Sequence, residues 1–196
     1  MLFTLLVLTG FAGSIHSGSM TGKERRTLVA DLKETRNAFF KSVEDLTPAQ
    51  LNFRPDPASP SIRECMSQLY ATHTKLWELT EAALKHPADP GKKPSPPSLD
   101  DQLLLTKWNG VETVMSALGT IPSSRIDVDD LTSDYKKSVG SLIKFVRTST
   151  DDMRHHLVQT PAGRLDAYQN MLLMSACTRS YIKKIESIKA DPRFPR

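Results

Sequence analysis

Apolar positions recur at helical spacing along most of this chain, and the breaks between them are rich in proline. Leu28, Leu32, Phe39, Val43 and Leu46 form one such stripe. Thr21-Gly22-Lys23-Glu24 precedes it with the pattern of a capping box, in which the threonine hydroxyl accepts from a free backbone N–H and the glutamate reaches back. These signals predict a first helix over residues 22–46. The stretch LTPAQLNFRPDPASP, with four prolines in fifteen residues, ends it. A second helix follows, with Ser59 and Ser61 as candidate caps, Pro60 suited to a first turn, and Ser61 to Glu64 forming another capping box. Its stripe is Ile62, Met66, Leu69, His73, Leu76 and Ala83.

HPADPGKKPSPP, residues 86–97, reads as an extended connection. Residues 100–118 then predict a shorter helix, weakened by Gly110, and GTIPSSRIDVDD reads as loop. Leu131, Tyr135, Val139, Leu142 and Val146 mark another long helix, expected to run to about His156. TPAG at 160–163 is a turn. The last helix is expected over 166–189, carrying Leu172, Leu173, Ile185 and Ile188, with Pro192 and Pro195 preventing its continuation. Strand signals are weak throughout. The fold expected is all-α, a four-helix bundle with a long crossover between its second and third long helices that carries an extra short helix.

The first residues stand apart from this pattern. Leu2 to Ala12 holds no charge, is shorter than the ~20 residues a bilayer span needs, and is followed by small residues. That is the make-up of a signal-peptide apolar region, although the first basic residue, Lys23, comes after the run and not before it. Residues 1–20 are therefore expected to be a signal peptide or a disordered extension, and 21–196 the domain. A functional signal implies export to a periplasm or the exterior, with no stable membrane span after its removal; otherwise the protein is cytoplasmic. Composition changes little else. The chain has 196 residues, 39% hydrophobic and 24% charged, which suits one globular core. The net charge of +4 is scattered and no basic block alternates with aromatics, so no nucleic-acid partner is expected.

Several segments carry a family resemblance. LTPAQLNFRPDPASPSIRECMSQL resembles the entry to the second helix of the DinB/YfiT superfamily, FVRTSTDDMRHHL fits the segment before its last helix, and GRLDAYQNMLLMSACTRSYIKKIESIKADPRFP resembles that helix. The likeness runs over residues 22–195. It implies a four-helix bundle of DinB-like type with a long crossover. In many members three histidines, one on the second helix and two four apart on the last, hold a divalent metal such as zinc, nickel or iron. Some of those members are thiol S-transferases.

The resemblance places Gln68 at the first histidine position, with Ser61, Ile62 and Glu64 setting the register, and Cys177 and Tyr181 at the other two. Pro60 stands where the family often has tryptophan. All three ligands differ, so the expectation is a degenerate site with no metal and no other cofactor. An amide oxygen is a poor ligand beside an imidazole, and a phenol must lose a proton of pKa ~10 to bind strongly. Cys177 alone would be a good soft ligand, as thiolate.

His73 lies five residues after Gln68, rotated about 140° on an ideal helix, so it cannot replace Gln68 and is expected as a buried, satisfied histidine on the apolar stripe. His155 and His156 are expected at a helix end, where cations complement the dipole. Cys177 reads as a structural cysteine, or as a nucleophile lowered by nearby cations. Cys65, one turn before Gln68, offers a disulfide to Cys177 if the chain is exported. Gln68, Thr72, Cys177 and Tyr181 are expected to line a residual pocket, with Cys65 and His73 near it.

Three functions fit: a small-molecule-binding or non-catalytic protein on a DinB-like bundle, a metal-dependent thiol S-transferase with an unusual ligand set, or a homodimeric interaction module. The N-terminal pattern makes one prediction. Protein exported by its host will have an intact mass corresponding to a start near residue 15, and a full-length mass from soluble cytoplasm would refute export.

Overall fold

A computed structural model describes residues 18–92, 94, 100–106, 109–118 and 127–196. The first helix, α1 (Gly22–Val43), opens with the expected Thr21–Glu24 capping box and buries Leu28, Leu32 and Phe39. It stops at Val43, short of Leu46. Glu44 is extended and Asp45 adopts a left-handed φ of 57°, which aspartate tolerates better than most residues. Thr47 then caps a second short helix, α2 (Pro48–Asn52), through its own box with Gln50. The cap signal at Thr47 outweighs the apolar spacing of Leu46, so the first helix ends earlier than the stripe indicates.

Helix α3 (Ile62–Leu84) uses Ser61, not Ser59, as its cap. The single helix expected at 100–118 is two: α4 (Asp101–Thr106) and α5 (Val111–Ala117), separated around Gly110. Helix α6 (Val128–Thr148) ends eight residues before His156. The chain then turns and forms a hairpin of β1 (Leu157–Thr160) and β2 (Gly163–Asp166), antiparallel with Leu157 opposite Asp166 and Thr160 opposite Gly163. Gly163 has φ 124°, a conformation a side chain would oppose. These strands have four residues each, too short for their alternation to stand out from a helical reading. Helix α7 (Ala167–Lys189) is capped by Asp166 in a box with Gln169. The bundle is thus helical as expected, with a small hairpin added before its last helix.

Contacts fix the helix directions. Glu24, Asp31 and Ser42 of α1 meet Tyr168, Arg179 and Lys189 of α7, so these two run parallel. Arg25 donates to Val146 while Phe39 packs edge-on against Tyr135, so α1 and α6 are antiparallel. Thr72 meets Tyr181 and Leu76 meets Asn170, so α3 and α7 are antiparallel. His73 and Trp77 pack on Tyr135 and Phe145, so α3 and α6 are parallel. Two consecutive long helices that point the same way need a connection as long as the bundle. Helices α4 and α5 lie on that connection and pack against α7, which also contacts α1, α3 and the hairpin.

The packed chain begins at least by Gly18. Gly18 is buried, its carbonyl accepts from Arg154 N at 3.0 Å, and a Cβ there would collide with Asp152 and His155. Met20 is in the core.

Leu69 and Leu172 are wholly buried. Replacing either by alanine will destabilise the fold by about 2–5 kcal/mol in chemical denaturation. Replacing Leu103, which is exposed, will change it by no more than about 0.5 kcal/mol. Equal effects at the three positions would overturn the assignment of faces.

Candidate functional site

Helices α3, α5 and α7 and the loop before α3 enclose a cleft of about 340 Å³, lined by Arg54, Pro60, Glu64, Gln68, Met115, Ser116, Tyr181 and Lys184 among others. Gln68 and Tyr181 therefore share one cleft, as their spacing on antiparallel helices allows. The other residues expected there do not reach it. Thr72 is buried behind, its hydroxyl 3.3 Å from that of Tyr181. Cys177 and Cys65 are fully buried free thiols. Burial pushes the Cys65 thiol up to about 12 and the Cys177 thiol higher still, so neither is an activated nucleophile. Burial also pushes the Tyr181 phenol up to about 12.

His73 is a core residue, as its place on the stripe indicates. Its Nε2 lies 2.9 Å from both the Met174 carbonyl and Thr178 Oγ1. A carbonyl only accepts, so Nε2 carries the proton, and the Tyr135 hydroxyl lies 3.2 Å from Thr178 Oγ1. Nδ1 is buried and has no partner among the described residues. A second proton there would have no acceptor, and burial lowers the His73 pKa to about 4. His155 and His156 do not end a helix, because α6 stops before them. His155 Nδ1 pairs with Asp152 at 2.8 Å, and His156 bridges the Asp152 and His86 carbonyls.

The sequence reading missed much of the cleft wall. Against burial, which raises it, hydrogen bonds from Ser61 and Arg54 bring the Glu64 carboxyl below its usual range. Arg54 pairs with Glu64 from outside the helix. Lys184, one turn after Tyr181, pairs with Glu112 of α5 at 2.9 Å. Its three-residue offset from Tyr181 was a usable signal. Met115 and Ser116 carried none, since the crossover's docking is a tertiary fact. A larger cleft of about 750 Å³ lies elsewhere around the start of α3, between Phe40, Leu51, Met66 and Val128, with exposed charges at its rim. Its volume exceeds that of the first cleft, but it gathers no set of groups with evident chemistry.

Arg154 was also missed. Its guanidinium binds Glu24 of α1, Asp101 of α4 at 2.6 Å and Asp166, the last residue of β2 and the cap of α7, at 2.9 Å, and lies 4.1 Å over the Tyr168 ring. Burial raises the Asp166 carboxyl to about 6, with Arg154 opposing that rise. Among the described residues no group of three or more His, Cys, Asp or Glu side chains is placed to hold a metal ion. No helix among them is long and apolar enough to cross a membrane.

Residues 31–175 match the DinB superfamily, more than half of the chain. The chain belongs to the DinB superfamily. The matched region contains Gln68 and ends two residues before Cys177. No curated protein matches the chain. Among solved structures, YfiT from Bacillus subtilis superposes with a TM-score of 0.60 at 14% identity, covering 87% of this chain and 89% of that one. YfiT is described as "a probable metal-dependent hydrolase with an unusual four-helix bundle topology". At that identity the likeness establishes that this DinB-superfamily chain shares the bundle fold.

The two perturbed buried groups predict opposed pH effects. His73 has a folded pKa below its unfolded value of 6.5, so its contribution is present at neutral pH and is lost as pH falls from about 6.5 to 4, by about 3 kcal/mol. Asp166 has a folded pKa above its unfolded 3.8, so its contribution is full below about 3.8 and is lost as pH rises through 6. Asp166→Asn, which keeps a capping side chain, will therefore steepen the loss of stability on acidification from pH 6.5 to 4. His73→Leu will flatten or reverse that loss. Denaturation curves across this range that are parallel for all three proteins would contradict both assignments.

Proposed function

We propose that this DinB-superfamily protein binds a small molecule in the cleft between α3, α5 and α7, and does so without the divalent metal that the family resemblance implies. The observation that carries this reading is the donor set at the three aligned positions. Gln68 offers an amide oxygen, a weak ligand. Tyr181 is a protonated phenol at neutral pH. Cys177 is fully buried as a neutral thiol and does not line the cleft. Catalytic zinc usually takes three strong protein ligands, and desolvating a divalent ion requires better compensation than these groups offer. The residues present do not fit the metal, so neither hydrolysis nor thiol transfer through a bound metal is ascribed to this chain.

Polar groups on an otherwise packed wall support the binding reading. The Gln68 amide is half-buried in the cleft and meets no hydrogen-bond partner among the described residues. A volume of 340 Å³ lies at the small end of ligand pockets.

Protein purified without a histidine tag will carry zinc, nickel and iron far below one equivalent in elemental analysis. About one equivalent, lost in Cys177→Ala, would overturn the proposal. The double variant Gln68→His/Tyr181→His, which leaves Cys177 in place, will take up zinc more tightly than the native protein. If it folds and binds no better, the three positions do not correspond to the family site.

A further inference from the structure

The cations and the amide that line the α3/α5/α7 cleft keep donors to spare, while its carboxylate is already engaged. Glu64 is the cleft's carboxylate, and both of its oxygens are committed: Oε2 accepts from the Ser61 backbone N–H at 2.7 Å and Oε1 from Arg54. Lys184 gives one of its three protons to Glu112 and keeps the others. Arg54 gives one N–H to the Ser59 carbonyl and one to Glu64, out of five. The Gln68 amide, the Ser116 hydroxyl and the Tyr181 hydroxyl add further donors. Arg54 and Lys184 reach this space from sequence-distant elements, and both line it. Met115, Pro60 and the Tyr181 ring supply an apolar wall.

From this arrangement we propose that the ligand is a small monocarboxylate. Its carboxylate would lie between Lys184 and Arg54, within reach of the Gln68 amide, and its apolar body against Met115 and Pro60. The charge count favours one negative charge over two. Glu64 and Glu112 already offset Arg54 and Lys184, so charge on the ligand is met by the spare donors alone, and a dianionic phosphate leaves twice the uncompensated charge of a monocarboxylate. Glu112 stands outside the cleft lining and competes for Lys184. The inference rests on the reading of this cleft as a small-molecule site, and it adds the ligand's charge and class.

The test uses three probes on the full chain: benzoate, its neutral isostere benzamide, and inorganic phosphate. Binding is read from NMR shifts of the Gln68 side-chain amide and of Tyr181. Benzoate is expected to bind at least about tenfold more tightly than either of the others. Lys184→Met keeps the aliphatic stem and is expected to weaken benzoate about tenfold. Arg54→Met should weaken it in the same direction. Glu112→Gln removes the competing carboxylate and is expected to tighten benzoate binding. A purely structural role for the Lys184–Glu112 pair would instead make both of those variants bind worse, and that result overturns the proposal. Benzamide or phosphate binding as well as benzoate also overturns it, while leaving the cleft as a small-molecule site. If none of the three probes shifts Gln68 or Tyr181, the binding reading and the carboxylate inference fall together.

Discussion

The structure is organised by the burial of α7. Every residue from Ala167 to Thr178 is buried, because α1, α3, α4, α5 and the hairpin all pack on this helix. A helix enclosed on so many sides cannot be amphipathic in the ordinary way, and it carries polar side chains into the core that need partners there. Asn170 donates to the Leu76 carbonyl and Thr80, Thr178 meets His73 and Tyr135, and Tyr181 meets Thr72. Apolar packing tolerates sliding, but these contacts do not, so they set the register of α3 on α7. That register brings Gln68 and Tyr181 to one cleft and keeps Cys177 behind it.

The parallel course of α3 and α6 has a second consequence. The crossover must return along the bundle, and in doing so it covers α7 and lends Met115 and Ser116 to the cleft. Its docking is polar at defined points. Arg154 holds Asp101, Arg179 donates to the Leu104 carbonyl at 2.7 Å, and Glu112 receives Ser180 and Lys184. Arg154 also joins α1 to the cap of α7, so one guanidinium coordinates three separate segments. Losing it would leave the buried Asp166 carboxylate without its counter-charge, a larger effect than the loss of a surface ion pair.

The cleft's chemistry follows from what burial does to each group. The phenol stays protonated, as do the thiols buried behind it, Glu64 is held ionised by Arg54 and its capping contacts, and Arg54 and Lys184 keep donors to spare. Such a set is suited to holding an anion and poorly suited to activating a nucleophile or a metal-bound water.

Much of this was legible in the sequence. The capping boxes at Thr21 and Ser61 are local devices, written within four residues, and they mark where the first two long helices start. The apolar stripes marked Leu28, Leu69 and Leu142 as core, because a period of 3.6 is a property of the segment alone. His73 was recognisable as a core histidine for the same reason. Helix ends were less legible. Leu46 and His156 lie on patterns that a helix could continue, and only competing local structure, the Thr47 cap and the hairpin, ends the helices before them. The cleft was half legible: Gln68 and Tyr181 could be paired through a resemblance and Lys184 lies one turn from Tyr181, whereas Met115 and Ser116 arrive only when the crossover docks. Arg154 could not be found at all from spacing, since Glu24, Asp101 and Asp166 lie 130, 53 and 12 residues from it. Local periodicity and capping are encoded within a turn or two of helix, while convergence of charges from distant segments depends on how the helices pack, and tertiary structure alone decides that.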